Sequence, residues 1–287
     1  MIKPLAFAVV PLLTALTLSS TSLASQATPL RFTIEPSRNA DEVELSFRWD
    51  GNGHWNNNWN SSFRMAQLAG LDPAALNGAA ARPIRFAIAR EAGRIDCAGT
   101  GAHAEARGTC NVTPDADFMS LLSRHGIAQP DEDHMLGLIA LDVHRTLIET
   151  LAAAHFPTPS VNQLMALTAV GATPDYISEL GAAGYHPKSL EGLVQFAALK
   201  ITPGYIGSFV RAGYTNLPPE ELIQMKALNI TPDFLSGFER LGYRHLPVGT
   251  LVQLKALDIT PDFARSARQD GTLPSPERLV QLRVLGR

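Results

Sequence analysis

Cysteine is almost missing from this chain: Cys97 and Cys110 are the only two among 287 residues. A two-thiolate metal site would need two further ligands nearby, and His103 supplies only one. An exported chain with one close pair most simply forms a disulfide, and closing so short a loop contributes about 3 kcal/mol on the chain-entropy view. Charge of one sign is also missing. Lys and Arg number 24 against 27 acids, so no basic footprint points to nucleic acid. No HExxH, no GxSxG, no Gly-rich phosphate loop after a strand and no paired CxxC occurs. The reading is therefore non-enzymatic, with no catalytic residue, cofactor or metal expected.

Beyond the N-terminus no stretch is apolar enough to cross a bilayer. The N-terminus itself, "MIKPLAFAVVPLLTALTLSSTSLASQA", has Lys3, an apolar run from Leu5 to Leu18 and small residues around Ala24 and Ala27. That pattern predicts a secretory signal peptide over residues 1–24, cleaved after "SLA" or "SQA". Its removal takes one lysine and no acid, moving the formal charge from −3 to −4. The expected location is periplasmic or secreted, with no membrane span in the mature chain.

What the chain does have is a period. Thr173-Pro174, Thr202-Pro203, Thr231-Pro232 and Thr260-Pro261 follow one another at 29-residue steps. The text between them repeats too, and "HRTLIETLAAAHFPTPSVNQLMALTAVGA" is an earlier unit without the Thr-Pro. Thr is a good N-cap and Pro suits the first helical position. Asp175, Asp233 and Asp262 then place negative charge at the positive end of the helix dipole. Gly184, Gly213, Gly242 and Gly271 predict left-handed helix endings. A Schellman ending brings the next residue onto C3, pairing Leu180 with Tyr185, Phe209 with Tyr214 and Phe238 with Tyr243. The same places in the last unit are Ala267 and Thr272, a coupled shrinkage that fits a real contact. The tyrosines thus read as structural staples.

A second short helix, starting near Pro219 or Pro247, carries Leu222, Met225 and Leu228 in one unit, and Leu251, Leu254 and Leu257 in the next. That i, i+3, i+6 stripe is one buried face. Helices so short are marginal alone, so the units are expected to stack into an α-solenoid of about five 29-residue hairpins over 143–287. The last unit puts Ala264, Ala267 and Asp270 where its predecessor has Leu235, Phe238 and Leu241, and adds Arg265 and Arg268, as a capping unit should. Residues 114–142 read as a degenerate junction unit. Residues 28–113 alternate apolar and polar in "RFTIE", "VELSFRW", "IRFAIAR", "RIDCAG" and "GTCNV". This predicts a small antiparallel β domain, with Cys97 and Cys110 tying neighbouring strands and "LAGLDPAALNG" as a helical or irregular connection. The fold class expected is α+β.

Three features are candidates for function. Gln195, Gln224, Gln253 and, with a shift of one, Gln281 recur in the second helices, with Lys226 and Lys255 two places on. Stacking lines them up as a polar ladder for a protein or peptide partner; the bland reading is a solvated helix face. "RWDGNGHWNNNWNSSF" holds all three tryptophans among Asn and Gly, and His54, Trp55, Asn57 and Trp59 are the candidates there for glycan contact. Its bland reading is a Gly/Asn hairpin whose tryptophans cover the sheet, with Trp49 as core. "DEDH", Asp131 to His134, drawn with His125 and His144, resembles a metal set but reads better as the acidic start of a helix.

The units, typified by "ITPDFLSGFERLGYRHLPVGTLVQLKAL", resemble tandem repeats outside the membrane in some bacterial β-lactam-sensor-type metallopeptidases and in exported stand-alone relatives. "V-T-P-E-[YF]", "G-[YF]-x-x-L" and "[ED]-x-L-V-x-L" recur there. "LAGLDPAALNG" and "IRFAIAREAGRIDCAGTG" resemble the section that often precedes them, so the likeness covers nearly all the mature chain. The peptidase part and its zinc motif have no counterpart, so no catalytic residue carries over. The resemblance implies an envelope sensing or interaction role. The leading expectation is an exported, non-enzymatic protein- or peptide-interaction module of the bacterial envelope, in a sensing or stress setting; the alternative is a glycan- or peptidoglycan-binding protein using the Trp/Asn loop.

Overall fold

The computed structural model describes residues 29–49, 58–269 and 271–286. The signal-peptide reading, His54, Trp55, Asn57 and Asp270 fall outside them. The chain is α+β, a six-stranded antiparallel sheet followed by a long series of short helices.

Alternation in the sequence builds the sheet. β1 (Leu30–Pro36), β2 (Glu42–Trp49), β3 (Asn58–Arg64), β4 (Arg82–Arg90), β5 (Gly93–Ala102) and β6 (Glu105–Pro114) line up in the order β3-β2-β1-β6-β5-β4. The first strand is therefore central, joining two three-stranded meanders. Leu30, Phe32 and Ile34 of β1, with Val43, Leu45 and Phe47 of β2, point to the buried face. Where β5 meets β6, Gly99 lies opposite Gly108. A side chain on Gly108 would stand 2.2 Å from the Ala98 carbonyl and 2.7 Å from the Phe32 ring, so glycine there lets the ring lie flat against the strand. Cys97 and Cys110 face each other across the same pair and form the disulfide. "LAGLDPAALNG" folds as α1 (Pro73–Asn77), capped by the Asp72 carboxylate on the Ala74 N–H.

The helices alternate along the chain as α2 (Ala116–Arg124), α3 (Glu132–Ala140), α4 (Arg145–Ala153), α5 (Val161–Ala169), α6 (Pro174–Ala182) and α7 (Leu190–Ala198). They continue as α8 (Pro203–Arg211), α9 (Pro219–Ala227), α10 (Pro232–Glu239), α11 (Val248–Ala256), α12 (Pro261–Ser266) and α13 (Pro276–Val284). Thr173, Thr202, Thr231 and Thr260 each accept from the backbone N–H three residues on, at 3.2–3.3 Å, and Pro opens the helix. At the far ends Gly184, Gly213 and Gly242 have φ of 79°, 87° and 106°. The N–H groups of Tyr185, Tyr214 and Tyr243 then donate to Leu180, Phe209 and Phe238, the Schellman pattern.

The second helices α7, α9 and α11 end the same way without glycine. Lys200, Asn229 and Asp258 take φ near 50–55°, and the isoleucine after each, Ile201, Ile230 or Ile259, is fully buried. The sequence "NIT" thus supplies a turn residue, a core residue and a cap. The last unit departs from expectation. α12 stops at Ser266, and the Thr272 N–H donates to Gln269 instead of Ala267. Ala267 offers no large side chain for Thr272 to pack on, so nothing holds the longer ending. Val284 and Leu285, at the end of α13, are 70% and 66% exposed, so this end of the chain is less polar than its arginines suggest.

α3, α5, α7, α9, α11 and α13 pack in succession, each on the helix two places further along; α4 packs on α6 and α10 on α12. Tyrosine hydroxyls add further ties: within a unit Tyr176 donates to Ile201 O at 2.8 Å and Tyr205 to Ile230 O, and between units Tyr214 donates to Leu246 O and Tyr243 to Pro274 O. The core is continuous from sheet to helices. Among the described residues no single helix is long and apolar enough to cross a membrane; α7 and α8 qualify jointly by composition but are bent by 81° where they meet.

A Cβ at Gly184 meets nothing within 4 Å, whereas one at Gly213 would stand 2.7 Å from the His245 ring, which stacks on Tyr214 at 5.4 Å. Gly184→Ala is expected to cost about 1 kcal/mol from the left-handed backbone alone, and Gly213→Ala distinctly more. Urea unfolding of both variants checks this; equal losses would show that the His245 packing contributes nothing.

Candidate functional site

Gln195, Gln224, Gln253 and Gln281 lie on α7, α9, α11 and α13, the run of second helices that pack side by side, and all four are exposed. Gln281 accepts from Arg278 at 3.1 Å, while the side-chain amides of the other three take no protein partner among the described residues. Interaxial spacing of roughly 8–10 Å then sets the distance between successive amides. Each offers two donors and one acceptor carbonyl, the complement of a peptide group.

The lysines behave differently from the ladder expected of them. Lys226 lies half-buried with its ammonium 4.3 Å from the centre of the Tyr205 ring, and Lys255 lies 5.0 Å from that of Phe234. Arg283 takes the same position over Phe263 at 5.4 Å. In each case the second helix of a unit lays a cation on the aromatic ring three residues after its own Thr cap. The ring quadrupole attracts the cation and the aliphatic stem packs on the ring. These cations join the two helices of a unit. The repeat does contain the signal for this, because a cation recurs at one place in three successive units that each carry the ring, while the unit with Ala197 there keeps its ring, Tyr176, without one.

Burial of the Tyr176 and Tyr205 hydroxyls pushes their pKa up to about 12. They remain protonated donors at neutral pH.

A second polar row runs along the N-terminal ends of α3, α5 and α7. Asp131 caps α3 through the His134 N–H, and its carboxylate also takes the His134 ring at 2.7 Å. The other ring nitrogen reaches Asn162 at 3.1 Å, and Gln163 donates to Glu191 at 2.6 Å. "DEDH" is thus the start of a helix. His144 lies elsewhere, and among the described residues no three His, Cys, Asp or Glu side chains converge to hold a metal ion.

Of the Trp/Asn candidates only Trp59 lies among the described residues. It sits on β3, a strand absent from the sequence expectation, with its ring 6.0 Å from Phe47 and 5.8 Å from Phe63. Its indole covers the sheet core, the packing expected of a hairpin tryptophan. Trp49, on the neighbouring strand, borders a hollow of about 450 Å³ between the sheet and α2–α3, rimmed by Asp131 and Glu132. Its buried Nε1 finds no acceptor among the described residues.

The sequence reading missed the most connected polar cluster. Glu91, in the β4–β5 turn, accepts from the Arg145 N–H at 2.7 Å and from the His144 ring at 3.3 Å. His144 gives α4 no side-chain cap of its own, so a residue 54 positions earlier does that work. Arg145 donates to Asp115 at 2.9 Å, and Asp115 caps α2. Arg90 pairs with Asp142 at 3.2 Å. The Arg145 N–H, chiefly, holds the Glu91 carboxyl below the usual glutamate value. This cluster fixes the direction in which the helices leave the sheet.

Compared with protein-family models, curated proteins and solved structures, the chain matches none.

Because the folded state lowers the Glu91 pKa, its contribution is complete above the ordinary value of 4.5 and is lost as pH falls through the lowered one. Glu91→Gln is expected to be less stable than the parent at neutral pH, with the gap closing below about pH 4.5. Thermal melts across pH 3–7 read this. A gap independent of pH would remove the charge from the account.

Proposed function

We propose that the helices from Arg145 to Val284 form an α-solenoid of stacked hairpins, and that this exported, non-enzymatic module binds a protein or peptide along its second helices. What carries the reading is the succession α7, α9, α11 and α13, each packed on the next and each presenting a glutamine at the equivalent exposed place. A one-dimensional stack of this kind has an extended surface whose chemistry repeats with its units. An exposed amide every roughly 8–10 Å suits a partner that offers backbone or side-chain amides along a line. The lysines contribute by holding the two helices of each unit together.

Export is supported by the disulfide, which persists in oxidising compartments. An envelope sensing or stress-response setting follows from the repeat resemblance and is part of the same proposal.

A photo-crosslinking residue at Gln224 or Gln253, introduced in intact cells, should capture a discrete partner, while one at Ser208 on α8 should not. Combined Gln195→Ala, Gln224→Ala and Gln253→Ala should leave the melting temperature nearly unchanged, since exposed changes of this kind shift stability by less than about 0.5 kcal/mol each. Adduct formed from a crosslinker at Ile223 in that background should fall several-fold. Undiminished capture by the alanine variant would refute the ladder.

A further inference from the structure

The face of the sheet turned away from the core carries an ordered charge pattern. Arg48, Arg31 and Thr109 lie opposite one another on β2, β1 and β6, and the next outward row is Ser46, Thr33 and Arg107. Adjacent strands are about 4.8 Å apart and diagonal neighbours roughly 7–8 Å. Arg31 therefore stands within about 8 Å of Arg48 on one side and of Arg107 on the other, with hydroxyls between them. Like charges directly opposite in a sheet are unfavourable. Such a cluster is also a local exception in a chain of net charge −3. Neither Arg48 nor Arg107 takes an acidic partner among the described residues.

The surface there is concave. A hollow of about 470 Å³ has the three arginines, Thr33, Ser46 and Thr109 in its lining, and a neighbouring one of about 370 Å³ shares Thr33, Glu35 and Arg107 with it. Its other end is acidic: Glu35 lies opposite Glu44, and Glu44 accepts from Ser62 at 2.6 Å.

We propose that this trough binds a carboxylate-bearing glycan, independently of the helical surface. Arginine forks match carboxylates in geometry and charge. Glu35 and the threonine and serine hydroxyls suit sugar hydroxyls, which both donate and accept. A nucleic acid fits poorly, because among the described residues this face has no aromatic ring on which a base could stack. Among the described residues the trough has no stacking ring for a sugar either, so charge carries the binding and salt weakens it.

The test is calorimetric titration of the whole mature chain with oligogalacturonate at low and high salt, with a neutral malto-oligosaccharide as comparison. Oligogalacturonate is expected to bind saturably and more weakly in salt, and the neutral sugar not at all. Arg48→Glu with Arg107→Glu should weaken binding at least about tenfold, the loss expected when charge-assisted contacts are reversed. Lys188→Glu with Arg211→Glu, an equal charge change in the helical part of the chain, should leave it within about twofold. Folding of both variants is checked by near-ultraviolet circular dichroism. No saturation by the parent chain, or equal binding by the Arg48/Arg107 variant or the neutral sugar, would overturn the proposal. So would a dimer, seen by sedimentation, that the Arg48/Arg107 variant dissolves and oligogalacturonate leaves intact, since a second copy would then occupy the face.

Discussion

Each helix from Ala116 onward has nine residues or fewer, a length that does not persist in water by itself. The constraint that holds them is the chain reversal at their ends. One residue adopts the left-handed conformation, and the residue after it is driven into the core. Ile201, Ile230 and Ile259 are fully buried immediately after Lys200, Asn229 and Asp258 have paid the steric cost. Helix length, packing partner and the direction of the next helix all depend on that pairing of strain and burial.

The sheet and the helices share one core and one polar junction. Glu91 caps α4 from the β4–β5 turn, and Arg145 on α4 reaches back to the cap of α2. A residue of the turn between two strands thus ties the start of α4 to the sheet. The two surfaces proposed for binding are different in kind: a row of amides repeated by helix stacking, and a charged trough set by strand register.

What could be read from sequence alone follows from the range of the interactions involved. Thr-Pro entries, glycine endings and the tyrosine after each glycine are local, so a 29-residue period displays them directly. The disulfide was readable because only two cysteines exist. β3 was not, since "NWNSSFR" has the composition of a loop, and Val43↔Phe63 and Phe47↔Trp59 become partners only once β2 is in place. The Glu91 cap joins residues 54 apart that share no motif. The left-handed Lys200 was hidden because lysine seldom adopts that conformation, whereas Asn229 and Asp258 are of the types that do so most often after glycine. Lys226 and Lys255 recur as visibly as the glutamines, but which way a long side chain turns depends on the ring beside it.

The cross-strand bond between Cys97 and Cys110 has a mechanical consequence. Their sequence separation is 13, and a stretched chain extends by at most roughly 3.5 Å per residue. Pulled from its two ends, the oxidised protein would keep about 45 Å of contour length out of reach of the applied force. The helical pairs would be free to unravel to their full extent, while reduction of the one bond would release that concealed slack.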